Sequence, residues 1–177
     1  MAQNSNYVTV DGEFDSLEDR SFLTIDDYDL SGQNVILRID INSSINPENG
    51  DLLDDTRIKR HSATVKELSD KYARVIVLAH QSRPGKLDFV NLEKHGERMS
   101  QIINKDIKFI DDIYGKEAIK HINNIKDGEI ILLDNVRFDD EEIELSKFMN
   151  DNFDLQRKSK MVRKLSPQAS FFINDAF

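Results

Sequence analysis

The sequence predicts an α/β domain of Rossmann-like, three-layer type, with a mainly parallel sheet and helices on both faces. Three observations predict it. Short, β-branched and mostly continuous apolar runs recur at Val35 to Ile41, Val75 to Ala79, Ile107 to Ile110, Ile130 to Leu133 and Phe171 to Ile173. Apolar residues at helical spacing fill the gaps between those runs. The 177 residues suffice for one such domain and are too few for two of ordinary size. Strands apolar on both faces, joined through helices, belong to parallel sheets covered on both sides.

Taken in order, residues 1–21 mix Gln, Asn and Ser with acids (Asp11, Glu13, Asp15, Glu18, Asp19) and have few apolar anchors. We expect an extension that is poorly ordered or loosely packed, followed by one domain over residues 22–177. After the first strand, Ile58, Val65, Leu68 and Tyr72 form a helical stripe, with Asp55 or Thr56 available to cap it. Leu92, Met99 and Ile103 form a second stripe, and Ala118, Ile122 and Ile125 a third that stops at Lys126-Asp127-Gly128. Ile143, Phe148 and Met149 follow an acidic helix start at Asp140 to Glu142, while Met161, Val162 and Leu165 precede the break at Pro167. Phe171 and Phe172 are expected in the core, and His61 beside the apolar stripe of its helix.

Composition removes several function classes. A formal net charge of -9 lacks the basic excess of a nucleic-acid binder. The absence of cysteine rules out disulfides and thiolate metal sites, and His95 and His121 have no acidic or His partners at ligand spacing, so no metal site is expected. No apolar run approaches the roughly 20 residues of a membrane span, and the start lacks a signal-peptide pattern. A cytoplasmic protein is the expectation.

In open parallel sheets ligands bind at the carboxyl ends of strands, where loops and helix amino-termini converge. Here the strands end in Arg38-Ile39-Asp40-Ile41-Asn42, His80-Gln81-Ser82-Arg83-Pro84-Gly85, Asp134-Asn135-Val136-Arg137-Phe138 and Asn174-Asp175-Ala176-Phe177. Arg57 opens the helix after the first strand, where positive charge opposes the helix dipole. A local basic pocket in an acidic protein suits a small, multiply charged anion, because guanidinium groups grip carboxylate and phosphate through paired hydrogen bonds. Pro84 holds Arg83 extended and Gly85 permits a sharp turn. Arg38, inside its strand, is assigned to an ion pair with a neighbouring acid and not to the ligand.

At these residues the chain resembles phosphoglycerate kinase. The runs RIDIN, DDTRI, AHQSRPG, DNVRF and NDAF match that family in order and spacing over roughly Phe22 to Phe177, and HQSRPGK and VRKLSPQASFFINDAF resemble its archaeal branch. The resemblance implies transfer of a phosphoryl group between ATP and the carboxylate of 3-phosphoglycerate, giving 1,3-bisphosphoglycerate. Asp40 and Asn42 are implied at the glycerate end, near the carboxylate and 2-hydroxyl. Arg57 is implied at the carboxylate and the phosphoryl group in flight, as the catalytic residue. His80, Arg83 and Arg137 are implied to hold the remote 3-phosphate. Many family members have Gly where this chain has Ser82, and Glu where it has Asp134. The resemblance also implies that the chain is the amino-terminal, acceptor-binding half, ending before a further phosphate-binding arginine and before the nucleotide domain. ATP or ADP with Mg²⁺ would bind that carboxyl-terminal domain, with no cofactor or metal site in this half, and this half by itself is expected to be inactive.

Blander readings exist for each motif. Asp40 and Asn42 suit a turn cap, His80 and Arg83 a surface loop, and Arg137 a partner for Asp139 or Asp140. Two other functions remain open from the residues alone: a non-catalytic small-anion-binding α/β module, and a receiver-like signalling domain.

Overall fold

The computed structural model describes residues 24–146 and 153–176. The expected extension, Phe148, Met149 and Phe177 lie outside the described residues. Within them, strands β1 (Asn34–Ile39), β2 (Arg74–Leu78), β3 (Ile107–Ile110), β4 (Ile130–Leu133) and β5 (Phe171–Asp175) form one parallel sheet in the order β3-β4-β2-β1-β5. Helix α1 (Thr56–Asp70) follows β1, α2 (Glu93–Ile103) follows β2, and α3 (Lys116–Asn124) follows β3. Between β4 and β5 the chain makes α4 (Asp140–Ser146), α5 (Phe153–Arg157) and α6 (Lys160–Leu165). This strand order differs from the 2-1-3-4-5 order of receiver domains, which removes that reading.

Side-chain alternation sorts each strand onto two cores. Val35, Leu37, Val75, Val77, Ile130 and Leu132 pack with α1 and α2 through Ile58, Val65, Leu68, Leu92, Met99 and Ile103. Ile36, Ile76, Leu78, Ile131 and Leu133 pack on the other face with Ala118, Ile122, Ile125 and Leu165. Three layers result, as expected from strands apolar on both sides. No helix of the described residues is long and apolar enough to cross a membrane.

Four expectations need correction. Tyr72 is not on the first helical stripe. Helix α1 ends in a Schellman turn, with Tyr72 N–H on Ser69 O at 3.0 Å and Ala73 N–H on Leu68 O at 3.1 Å. That turn requires a left-handed residue, and Tyr72 takes it at φ 60°, leaving its ring exposed. Neither Asp55 nor Thr56 caps α1 with its side chain; Asp54 Oδ1 instead accepts from Thr56 N–H at 2.9 Å, while Asp55 pairs with Lys59 and Arg98. Phe172 is 65% exposed, because it projects from the outermost strand. Val162 is exposed as well, with Leu165 alone of its stripe fully buried.

The topology also positions the site. Leaving β2, the chain turns toward the α1–α2 face, whereas leaving β4 it turns toward the face of α3 and α6. Adjacent strands whose exits diverge leave a crevice at their carboxyl ends.

Candidate functional site

Register brings the cations together. Arg38 pairs with Leu78 across β1 and β2, so Arg38 and, two residues past Leu78, His80 project to the same face. Arg38 Nη2 lies 3.3 Å from His80 Nδ1 and 3.9 Å from Glu142 Oε1 of α4. A single 3-10 turn, Val136–Phe138, follows β4 and carries Arg137 into the same space. The Arg137 Nη1 donates to Ser82 O at 2.6 Å, and not to Asp139 or Asp140 among the described contacts.

His80 senses this company. Burial pushes its pKa down to about 4, and the positive charges of Arg137, Arg38 and Arg57 push the same way against Asp40. It is therefore neutral at pH 7 in the free protein. Since Arg38 Nη2 can only donate, His80 Nδ1 accepts, which leaves Nε2 carrying the proton.

Beside these residues stands an acid and amide group. Asp40 follows β1, with its Oδ1 accepting from Asn42 N–H at 3.1 Å and its Oδ2 paired to the Arg57 guanidinium. Arg57, in the first turn of α1, leaves about half of its side chain exposed to solvent. Asn42 Oδ1 accepts from Ser82 N–H at 2.8 Å, which fixes the amide orientation and leaves Nδ2 without a protein partner among the described residues.

The loop after β2 turns at two left-handed residues, Ser82 at φ 55° and Gly85 at φ 81°. Position 82 thus suits the glycine that many members of the resembled family carry there. Serine is tolerated because its hydroxyl bonds Asp88 Oδ1 at 2.6 Å. Arg83 sits exposed on this loop, and its guanidinium makes no hydrogen bond or ion pair among the described residues. The structure thus draws Asp40, Asn42, Arg57, His80 and Arg137 together and leaves Arg83 at the rim.

Sequence reasoning set Arg38 aside, although alternation from Asp40 and His80 places it in the cluster. It also gave no role to Gln81 and Asn135, both fully buried. Their partners across the loops are 38 and 54 residues away in sequence, and the one local bond, Arg137 N–H to Asn135 Oδ1 at 3.2 Å, signals only a turn. Asp134, buried beneath the site, accepts from Leu92 N–H and Asn135 N–H, and burial raises its pKa. Asp175 is held to α1 by His61 Nδ1 and Thr64 Oγ1, both at 2.9 Å. A cavity of about 530 Å³ lies beside α4, lined by Asp112, Asp134, Asp139 and Glu144, and its negative charge is wrong for an anion.

Comparison with known proteins adds a second line. A family profile described as Phosphoglycerate kinase matches residues 25–177. A protein of that name from Methanothermobacter thermautotrophicus is 47% identical over 156 residues, covering 88% of this chain and 37% of the relative. Another, from Sulfurisphaera tokodaii, is 43% identical over 159 residues, covering 90% of this chain and 37% of the relative. The crystal structure of phosphoglycerate kinase from Pyrococcus horikoshii OT3 superposes with a TM-score of 0.80 at 30% identity, over 88% of this chain and 36% of that one. The chain thus spans little more than a third of the length of these relatives.

Proposed function

Since the chain belongs to the phosphoglycerate kinase family, we propose that it supplies the acceptor site of a kinase that moves a phosphoryl group between ATP and the carboxylate of 3-phosphoglycerate. The observation that carries this reading is the convergence of the site residues at the carboxyl ends of β1, β2 and β4. Two guanidinium groups, Arg38 and Arg137, and the neutral imidazole of His80 gather from three strand ends beside a group that can read a hydroxy acid, Asp40, Asn42 and Arg57.

In this reading Arg137 and the Nε2–H of His80 hold the remote phosphate, with Arg83 folding in from the rim. The free Nδ2 amide of Asn42 donates to the carboxylate, and Asp40 accepts from the 2-hydroxyl. Arg57 faces the charge that grows as the carboxylate oxygen and the phosphorus atom bond. Such transfers need positioning and charge stabilisation and no protein nucleophile. Residues 22–177 form the acceptor domain in this proposal, and 1,3-bisphosphoglycerate is the product that leaves the same pocket.

The family also implies ATP or ADP with Mg²⁺. In this reading both belong to the nucleotide domain of the full-length enzyme, and among the described residues no three His, Asp or Glu side chains converge. No observation favours a non-catalytic anion module over the kinase reading.

Titration of the 177-residue chain with 3-phosphoglycerate, followed by NMR, tests the site. Shifts should centre on Asp40, Asn42, Arg57, His80, Arg83 and Arg137, and binding should weaken with salt. Saturable binding elsewhere, or none at millimolar ligand, would sink the proposal.

A further inference from the structure

Two buried amides tie the loops of the crevice together without facing it. Gln81 Oε1 accepts from Ser43 N–H, and its Nε2 donates to Ser43 O, both at 2.9 Å. Asn135 repeats the device one strand over, with Oδ1 accepting from Gln81 N–H at 3.2 Å and Nδ2 donating to Gln81 O at 2.8 Å and Val90 O at 3.0 Å. Each side chain imitates a strand partner where the backbones have diverged.

His95 completes the arrangement. It lies in α2, 1% exposed, with Nε2 3.0 Å from the same Gln81 Oε1. An oxygen can only accept, so His95 carries its proton on Nε2, and its Nδ1 is buried with no partner among the described residues. Leaving a buried acceptor unpaired is costly, which makes the single bond to Gln81 the feature that this histidine provides. That bond also fixes the orientation of Gln81. A flipped amide would set its Nε2 donors against both Ser43 N–H and His95 N–H.

Short covalent links carry this order to the site. Ser43 follows Asn42, whose Oδ1 binds Ser82 N–H at 2.8 Å. Ser82 follows Gln81, and its carbonyl holds Arg137 at 2.6 Å. We propose that Gln81, oriented by His95, is a positioning residue of the acceptor site. It sets the spacing between the loop bearing Asp40 and Asn42 and the loop bearing His80, Ser82 and Arg83. The ligand in this inference rests on the function proposed above; the coupling between loops does not.

The test compares Gln81→Leu, Gln81→Glu, His95→Leu and His95→Gln in the 177-residue chain, at a temperature where each is fully folded. Two quantities are read: the Kd for 3-phosphoglycerate and the amide hydrogen exchange of Ser82, which Gln81 does not touch directly through its side chain. Gln81→Leu should weaken binding about tenfold or more and speed Ser82 exchange, leaving the β1 and β2 amides protected, the scale set by losing about one or two buried hydrogen bonds. His95→Leu should do the same more mildly, and His95→Gln, which restores a donor, should recover wild-type affinity. If Gln81→Leu does not fold, Gln81→Glu keeps the acceptor and loses the donor to Ser43 O, and the same two changes are expected. A lower Tm with unchanged Kd and unchanged Ser82 exchange overturns the inference, as does faster exchange with unchanged affinity. Should wild type fail to bind 3-phosphoglycerate while Ser82 exchange still accelerates in Gln81→Leu, the coupling stands and the ligand assignment falls.

Discussion

Replacing His80 by Asn should remove a pH dependence of anion binding whose size follows from the environment of that histidine. In the free protein His80 titrates at about 4, held down by burial first and by Arg137 and Arg38 next. A bound dianion supplies the negative charge whose absence disfavours the imidazolium, so binding should raise the pKa and take up a proton. Sulfate is the cleaner probe, because it stays a dianion where phosphate itself titrates. If binding restores an ordinary value of roughly 6.5, linkage makes sulfate about tenfold tighter at pH near 5.5 than at pH near 7.5. The groups facing His80 are Arg38 from β1, Asp40 beyond it, Arg57 from α1 and Arg137 after β4, and all remain in His80→Asn. Calorimetry at the two pH values should give the tenfold change in wild type and a nearly flat response in the variant. Equal slopes in both proteins would refute the reasoning, for the proton would then be bound elsewhere; a flat wild type would mean that the anion sits away from His80.

In a full-length family enzyme carrying this domain, Arg57→Ala should lower kcat about a hundredfold, on the order of 3 kcal/mol, whereas Arg83→Ala should chiefly raise KM for 3-phosphoglycerate. Steady-state kinetics decides, and a KM effect alone in both would make Arg57 a mere anchor. Acid should destabilise the fold through His95, whose pKa burial depresses to about 4. The depressed value means that the unfolded chain binds the proton first, so stability present above the ordinary pKa is lost as pH falls toward 4, by about 3 kcal/mol at most, and His95→Gln should flatten that part of a urea-melt series. Ser82→Gly relieves a left-handed serine but loses the bond to Asp88, opposing effects of about 1 kcal/mol each, so its Tm should stay near wild type, and a large drop would show that the Asp88 bond dominates.

The strands were legible where burial is two-sided. The run Ile130 to Leu133 matches β4 to the residue, because a strand covered on both faces has no polar position to blur its ends, and Ile107 to Ile110 matches β3 although that edge strand exposes Lys108. Edges and exits were less legible. Phe172 reads as core by composition, yet burial there depends on what covers the outermost strand, which one sequence does not encode locally. Tyr72 fits the helical period, but the left-handed stop is set by the need to turn directly into β2. At the candidate site, the residues singled out by motif spacing are gathered by the fold, apart from the rim residue Arg83, and Arg38 was recoverable from alternation. Gln81, Asn135 and His95 were not, since their meaning lies in pairings between distant loops.

The charges of the candidate site are balanced within the fold. Arg38, Arg137 and His80 gather with Glu142 and Asp40 as the nearby acids, and two adjacent guanidinium groups repel. The fold answers in two ways. His80 stays neutral, which removes one positive charge while keeping its Nε2–H directed away from Arg38, and Arg137 is anchored to a carbonyl instead of a carboxylate, which fixes its place without neutralising it. A carboxylate partner would have stabilised the free protein more and would then have competed with the ligand. Arg57 is the exception, since it is already paired with Asp40. In the proposed function, binding at that end exchanges one carboxylate partner for another, whereas the phosphate end meets charge that is unspent. In the proposed function this asymmetry suits the chemistry: the remote phosphate drives binding, and Arg57 is held at moderate strength until negative charge grows beside it.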